Sequence, residues 1–357
     1  MTTSSQFLAR LGTRLPIIQA PMAGVSTPRL AAEVSNAGAL GSIGIGASSL
    51  TQAWNDIQAI RALTDHPFNV NVFCHQPADR SAAQESEWLQ FLSPLFNSLG
   101  IKAPDHLEEI YKSFLEDTAV FELLLEQRPN VVSFHFGIPS KEKIKALQDV
   151  GVYTLATATN LSEAIAIQEA GIDALVAQGI EAGGHRGVFD PEADDEKLST
   201  HVLVNVLTQH SRLPLIAAGG IMDGAGIRAA LQVGATAAQM GTAFVLCPES
   251  SANAGYRDNL RNHSPNASTR LTKALSGRPA RGLLNDFIAY CESSDAPMPA
   301  TYPLAYDATK QLNAGASKQG NHQFAANWAG QGVPLARELP AALLIEKLQK
   351  EMADAQK

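Results

Sequence analysis

Two histidines set among glycines are the residues of this chain best suited to chemistry. His185 sits in GIEAGGHRG (179–187), directly after Gly183 and Gly184 and just beyond the apolar run DALVAQ. His135 sits in VVSFHFG (131–137). Glycine lets a backbone approach a ligand closely. A histidine beside it can bond a substrate, orient it or shuttle a proton. An exposed turn histidine is the competing reading. No HxH or HxxxH spacing accompanies the pair, so no metal centre is expected. A third constellation is TYPLAYDATK, where Tyr302, Tyr306 and Lys310 recur every fourth residue. On a helix they share one face. Two phenols and an ammonium suit a lid over a small carboxylate, and Tyr111 could join them, with Tyr256 a weaker candidate. A surface helix with an aromatic stripe is the alternative.

Such groups need elements to position them. Residues 15–245 alternate short apolar runs with amphipathic segments. The runs are 15–22, 39–46, 68–74, 131–137, 152–159, 174–179, 214–221 and 235–244. Near-continuous apolar runs suggest parallel strands covered on both faces. Between them lie helical patterns such as PRLAAEVSNAG and LSEAIAIQEAG, several ending in Gly as helices often do. Eight units predict an α/β fold, a (β/α)8 TIM barrel over 1–74 and 131–245; a doubly wound open sheet is the alternative. Residues 75–130 and 246–335 do not fit the repeat. They are expected to form a helical insertion and a cap, a second, smaller, mostly helical layer over one barrel mouth. Trp88, Leu92, Leu95, Phe96 and Leu99 predict one helix there, and Leu107, Ile110, Tyr111 and Phe114 another. Residues 340–357 predict a C-terminal helix whose Leu344, Leu348 and Met352 pack back on the barrel.

A barrel builds its site at the C-terminal strand ends. Those ends supply Pro21, Met22, Ala23 and Gly24, then Gly44 and Gly46, Asn71, His135 and Gly137, Thr157 and Thr159, and Gln178 with the GIEAGGHRG stretch. Strands 7 and 8 end in Gly219-Gly220 and in Gln239, Met240, Gly241 and Thr242. Glycine-rich backbone after the last two strands suits a phosphate held by N–H groups. No P-loop lysine accompanies it, which favours a bound cofactor over a transferred group. Asn71, Gln178 and Gln239 carry donor and acceptor edges for a planar heterocycle. Small residues at 21–24 leave room for a flat ring. The combination suggests flavin mononucleotide, FMN.

Composition narrows the partners. Formal net charge is −8 and the pI near 5.6, against a nucleic-acid footprint. No apolar window approaches a membrane span. The N-terminal MTTSSQFLARLG lacks the apolar core of a secretory signal. Cys74, Cys247 and Cys291 fit no disulfide or zinc spacing, and a cytoplasmic location is expected.

The segments QAPMAGVSTPRLAAEVSNAGALGSIG, FNVNVF, VSFHFGIP, GIEAGGHRG, PLIAAGGI and AAQMGTAF resemble those of the nitronate monooxygenases, formerly called 2-nitropropane dioxygenases. The pairing of SFHFG with GIEAGGHRG is similar to their class I branch. The resemblance implies an FMN-containing barrel with a cap. It implies oxidation of alkyl nitronates, including propionate 3-nitronate, with O2 to an aldehyde or oxo acid plus nitrite. The family histidine of the AGGH motif maps onto His185, and the FHF histidine onto His135. Lid residues Tyr111, Tyr302, Tyr306 and Lys310 would then face a nitronate. The expected assembly is a monomer or small homo-oligomer. A related FMN barrel reducing quinones or enoyl groups with NAD(P)H is the alternative. A non-catalytic barrel binding a phosphate ligand is a further one; it would be colourless.

Overall fold

The computed structural model describes residues 3–262, 268–293 and 295–355. Eleven strands are formed among the described residues: β1 (Ile17–Gln19), β2 (Gly41–Gly44), β3 (Phe68–Phe73), β4 (Val131–His135), β5 (Tyr153–Ala158), β6 (Ala174–Gln178), β7 (Gly184–His185), β8 (Leu215–Ala218), β9 (Ala237–Met240), β10 (Thr269–Thr272) and β11 (Ala280–Leu283). Eight of them make one parallel sheet in the order β1-β9-β8-β6-β5-β4-β3-β2. Its ends meet where Ile18 bridges Leu40 in parallel, and Gln19 N–H donates to the Leu40 carbonyl at 2.9 Å. The sheet is thus a closed TIM barrel ringed by helices. The observed strands are shorter than the apolar runs, because each run continues into the loop that builds the site.

Alternation along the strands decides which residues face inward. Val131, Tyr153, Leu155, Ala174, Val176, Ile216 and Ala237 fill the barrel interior, with Phe7 and Leu11 of the helix Thr3–Leu11 among them. Val132, Phe134, Ala156, Ala158, Leu175 and Ala177 pack outward against the helix ring. The inward parity continues to Asn71, Ser133, His135, Thr157, Gln178 and Gln239, all at or near the C-terminal ends.

The C-terminal helix Ala341–Asp354 buries Leu344, Ile345, Leu348 and Met352 against Val34 and Ile227. A Cβ at Gly224 would lie 2.3 Å from the Met352 backbone N, so this close approach requires glycine. The predicted helix extended to 357, and residues 356–357 lie outside the described ones.

The segment expected as a helical insertion divides in three. Helix Ala82–Ser98 presents Trp88, Leu92 and Phe96 to Leu275, Phe287, Leu304 and Leu312 of the later segment, forming an apolar cluster apart from the barrel. Helix Thr118–Gln127 instead puts Val120, Leu123 and Leu124 on the barrel and is its ring helix between β3 and β4. The predicted helix through Leu107, Ile110, Tyr111 and Phe114 is not formed; that stretch is irregular. Leu107 packs in the outer cluster, Tyr111 in an aromatic cluster over the barrel, and Phe114 on the barrel core. Three destinations, not one helix face, produced the spacing. The later segment also holds a β-ribbon, β10–β11, and β7 joins it through Ala280↔His185 and Arg281↔Gly184. The histidine loop of the barrel is therefore the third strand of the covering layer. No helix among the described residues is long and apolar enough to cross a membrane.

Candidate active site

The C-terminal strand ends enclose a cavity of about 480 Å³. Pro21, Met22, Ala23, Gly24, Asn71, His135, Gln178, Gly183, Gly184, His185, Gly219, Gly220, Gln239, Met240, Gly241 and Thr242 all line it. So do Tyr111, Tyr302, Tyr306 and Lys310. Tyr302 reaches it by a different route from the one its spacing predicts. Helix Leu304–Lys318 begins after it, so only Tyr306 and Lys310 of the triplet are helical.

One side of the cavity is backbone. Gly219 and Gly220 follow β8 with φ of +133° and +70°. The short helix Thr242–Val245 starts at Gly241 with no side-chain cap. The N–H groups of Gly219, Gly220, Gly241 and Thr242 donate to no acceptor among the described residues. Unpartnered N–H groups facing a cavity need an acceptor from a ligand or solvent.

The amide side chains are partly committed. Asn71 Nδ2 donates to the Ser133 carbonyl at 3.1 Å and to Ser133 Oγ at 2.9 Å, which uses both its protons. Gln178 Nε2 donates to the His185 carbonyl at 3.0 Å, while its Oε1 accepts the Gly187 N–H at 2.7 Å. Gln178 thus pins the histidine loop with both ends of its amide. Arg186, almost fully buried, braces the same loop: it pairs with Asp195 at 2.7 Å and donates to the Gln178 and Gly179 carbonyls. A Cβ at Gly183 would lie 2.4 Å from Gly330 N. Its smallness is required by this chain's own backbone, whereas Gly184, at φ +74°, has open space beside it.

His185 Nε2 lies 2.8 Å from Ser276 Oγ, in the turn between β10 and β11. Its ring packs against Trp328, Phe136, Tyr302 and Tyr306. Burial, then the neighbouring His135, Arg278 and His75, push its pKa down to about 3. The imidazole is neutral at physiological pH. His135 is held at both nitrogens. Its Nε2 donates to the His185 carbonyl at 3.2 Å, so Nδ1 accepts the Thr157 hydroxyl at 3.1 Å. Burial pushes its pKa down to about 4.

The opposite side is made of side chains. Tyr111, Tyr302, Tyr306 and Trp328 form an aromatic roof, and Lys310 Nζ lies 4.8 Å from the Tyr111 ring centroid and 5.3 Å from that of Tyr306. Burial raises the Tyr111 and Tyr302 phenols, so both stay protonated donors. Burial lowers the Lys310 ammonium. Among the described residues Lys310 carries the one formal charge on the cavity wall, and no carboxylate lines it. Behind the wall, the buried Arg278 guanidinium stands 4.4 Å from the Phe136 ring centroid. The site is shaped for an anion.

Sequence reasoning missed Phe136, Trp328, Ser276 and Arg278. Phe136 adopts φ +73°, unusual for a bulky residue, and sits amid His75, His135, His185 and Tyr302. Trp328, a lone aromatic in AANWAGQG, is the one that its neighbourhood of small residues could have flagged.

Residues 5–351 match the family model described as nitronate monooxygenase. The chain is 55% identical to a nitronate monooxygenase of Pseudomonas aeruginosa, covering 98% of this chain and 99% of the relative. It is 54% identical to one of Paraburkholderia phytofirmans, covering 98% and 96%. Among solved structures, a nitroalkane oxidase from Streptomyces ansochromogenes superposes with TM-score 0.90 at 39% identity, covering 99% of each chain. FabK from Thermotoga maritima superposes with TM-score 0.73 at 29% identity, covering 98% of this chain and 96% of that one. The chain belongs to the nitronate monooxygenase family, and it is an oxidoreductase acting on nitronates.

Proposed function

We propose that the protein uses FMN to oxidise alkyl nitronates, propionate 3-nitronate among them, with O2 to an aldehyde or oxo acid plus nitrite. The observation that carries this is the cavity's charge: one ammonium, the protonated phenols of Tyr111, Tyr256, Tyr302 and Tyr306, the neutral His135 and His185, and no carboxylate. Four unpartnered N–H groups, of Gly219, Gly220, Gly241 and Thr242, fit the FMN phosphate. Pro21, Met22, Ala23, Gly24, Asn71, Gln178, Gly183, Gly184, Gln239 and Met240 would surround the rest of the cofactor. Bound FMN supplies an acceptor for one electron at a time.

The chain's own residues do the remainder. A nitronate is already deprotonated at carbon, so no group must act as a base. Neutral His185 offers a ring N–H to a nitronate oxygen. Tyr302 and Tyr306 add hydroxyl donors, and Lys310 faces a substrate carboxylate. His135, fixed by Thr157, supports His185 through its carbonyl. The aromatic roof limits water at the reacting atoms. Residues 75–117 and 246–335 serve as the cap. The reading carries a cytoplasmic location and a monomer or small homo-oligomer.

An FMN barrel of the same fold that reduces quinones or enoyl groups with NAD(P)H is the second reading. Anaerobic mixing of the yellow protein with propionate 3-nitronate, and separately with NADH, distinguishes the two. Fast bleaching by the nitronate alone is expected; bleaching by NADH alone overturns the proposal. His185→Asn should retain FMN and slow bleaching by nitronate roughly tenfold or more, since one positioned donor is lost. His135→Asn should do less, because its ring acts through the loop. An unchanged rate in His185→Asn removes that residue from the mechanism.

A further inference from the structure

We propose that Ser276 is a positioning residue that fixes the proton of neutral His185 on Nδ1, so that an N–H rather than a lone pair faces the cavity. The consequence for turnover rests on the nitronate reading; the tautomer does not.

Ser276 is fully buried in the turn that joins β10 to β11. Three polar atoms surround its Oγ: His185 Nε2 at 2.8 Å, and the Arg278 N–H and Arg278 carbonyl, each at 3.3 Å. The Arg278 N–H can only donate. The hydroxyl has one proton, and it goes either to Nε2 or to the Arg278 carbonyl. O–H···O bonds fall at about 2.5–3.0 Å, so the carbonyl at 3.3 Å is a poor acceptor. Nε2 at 2.8 Å is a good one. With the proton aimed at Nε2, a relay runs from Arg278 N–H to Ser276 O–H to His185 Nε2. Nε2 is then an acceptor, and a neutral imidazole must carry its hydrogen on Nδ1. The reverse arrangement leaves a buried hydroxyl proton on the long contact and a lone pair facing the cavity.

The far side of the ring supports the same assignment. Nδ1 makes no hydrogen bond among the described residues, yet it is not among the sealed, unpartnered atoms, and His185 lines the cavity. Nδ1 therefore opens on the cavity. A wall without carboxylates, with Lys310 as its one charge, receives anions, and an anion needs a donor there.

The loop does not depend on Ser276 for its path. The His185 backbone pairs with Ala280 of β11, and its carbonyl accepts from both Gln178 and His135. Ser276→Ala should thus free the imidazole proton while leaving the backbone in place. A structural residue and a tautomer-setting one then differ in what they move.

The test is a two-bond ¹⁵N–¹H correlation spectrum of the ¹⁵N-labelled, FMN-loaded protein, which reports which ring nitrogen carries the proton. His185→Asn identifies the His185 signals by their loss. The expected result is a protonated Nδ1 and a bare Nε2 in the unmodified protein. Ser276→Ala should give a mixture or the opposite tautomer. It should also lower the rate of anaerobic bleaching by nitronate roughly three- to tenfold, with Ser276→Thr restoring both. A proton on Nε2 in the unmodified protein, or the same tautomer in Ser276→Ala, overturns the proposal. The expected tautomers with no bleaching by nitronate in any variant would support the Ser276 assignment and overturn the nitronate reading.

Discussion

The two sides of the cavity are built from different material. The floor, after β8 and β9, is backbone: Gly219, Gly220, Gly241 and Thr242 offer N–H groups and little else. The roof is side chains from distant segments: Tyr111 precedes the helix Thr118–Gln127, Tyr302, Tyr306 and Lys310 lie beside or on Leu304–Lys318, and Trp328 follows. A backbone floor asks that Cβ atoms be absent and N–H groups be free, which any phosphate-holding barrel can reach. An aromatic roof with one ammonium commits to a small, flat, anionic substrate. On the proposed reading, cofactor retention belongs to the floor and substrate choice to the roof.

The largest expected effect breaks the floor. Gly220 has φ +70°, and a Cβ there would come 3.2 Å from Glu181 Cβ. A β-branched residue is strained in that conformation and must displace the turn. Gly220→Val should lower the flavin-to-protein ratio more than tenfold. Gly241 differs: its φ is −107°, and a Cβ there would make ordinary contacts at 3.5 Å to Ala20 and 3.6 Å to Met22. Gly241→Ala should keep nearly full flavin. Absorbance of the purified proteins measures both ratios. Full flavin in Gly220→Val would contradict the floor assignment.

A smaller effect tests the roof. Lys310 is exposed at the cavity edge, with its ammonium only partly desolvated where it stacks on two tyrosine rings. A contact so hydrated is worth about 0.5–1.4 kcal/mol, or roughly two- to tenfold. Lys310→Met should raise KM for propionate 3-nitronate by that factor and leave an uncharged alkyl nitronate nearly unchanged. Flavin content should not move. Equal changes for both substrates would show that Lys310 does not read the carboxylate, and the floor–roof division would lose its roof half.

This division also explains what the sequence disclosed. Local pattern suffices for the floor. Strand parity carries Asn71, His135, Gln178 and Gln239 inward, and the glycine pairs mark the turns that follow. The roof depends on packing between remote segments. Tyr302 was grouped with Tyr306 and Lys310 by a helical spacing it does not obey, since the helix starts at Leu304. Leu107, Ile110, Tyr111 and Phe114 imitated a helix because their separate burial demands happened to fall at helical intervals. Ser276 and Arg278 reach the site only because β11 pairs with β7, an antiparallel contact across nearly a hundred residues that no local periodicity announces. Gly183 was foreseen as small for a ligand's sake, but the atoms it avoids are Ala329 and Gly330.

The last expected effect is on stability rather than on binding, and it lies behind the roof, at His75. It is fully buried, and neither ring nitrogen has a hydrogen-bond partner among the described residues. It stands edge-on to Tyr302 with ring centroids 5.0 Å apart. Burial, and then Arg278, push its pKa down to about 4. The unfolded chain binds that proton near 6.5. Below 6.5 the unfolded state therefore gains a proton that the folded state refuses. Stability from this group is intact above about pH 6.5 and is lost as pH falls toward 4, by about 1.4 kcal/mol per pH unit. His135 and His185 add losses of the same sign. Among the described residues no fully buried histidine like His75 lies under the floor glycines, so acid should loosen the roof first. His75→Leu, close in volume, removes one of the three contributions. Its own packing change is a constant that cancels when one protein is compared at two pH values. Urea unfolding at pH 7.5 and pH 5 should show the unmodified protein losing about 2 kcal/mol more than His75→Leu between the two. Equal losses would mean that His75 takes up its proton in the folded protein as readily as in the unfolded one, and that the aromatic layer behind Tyr302 is open to water.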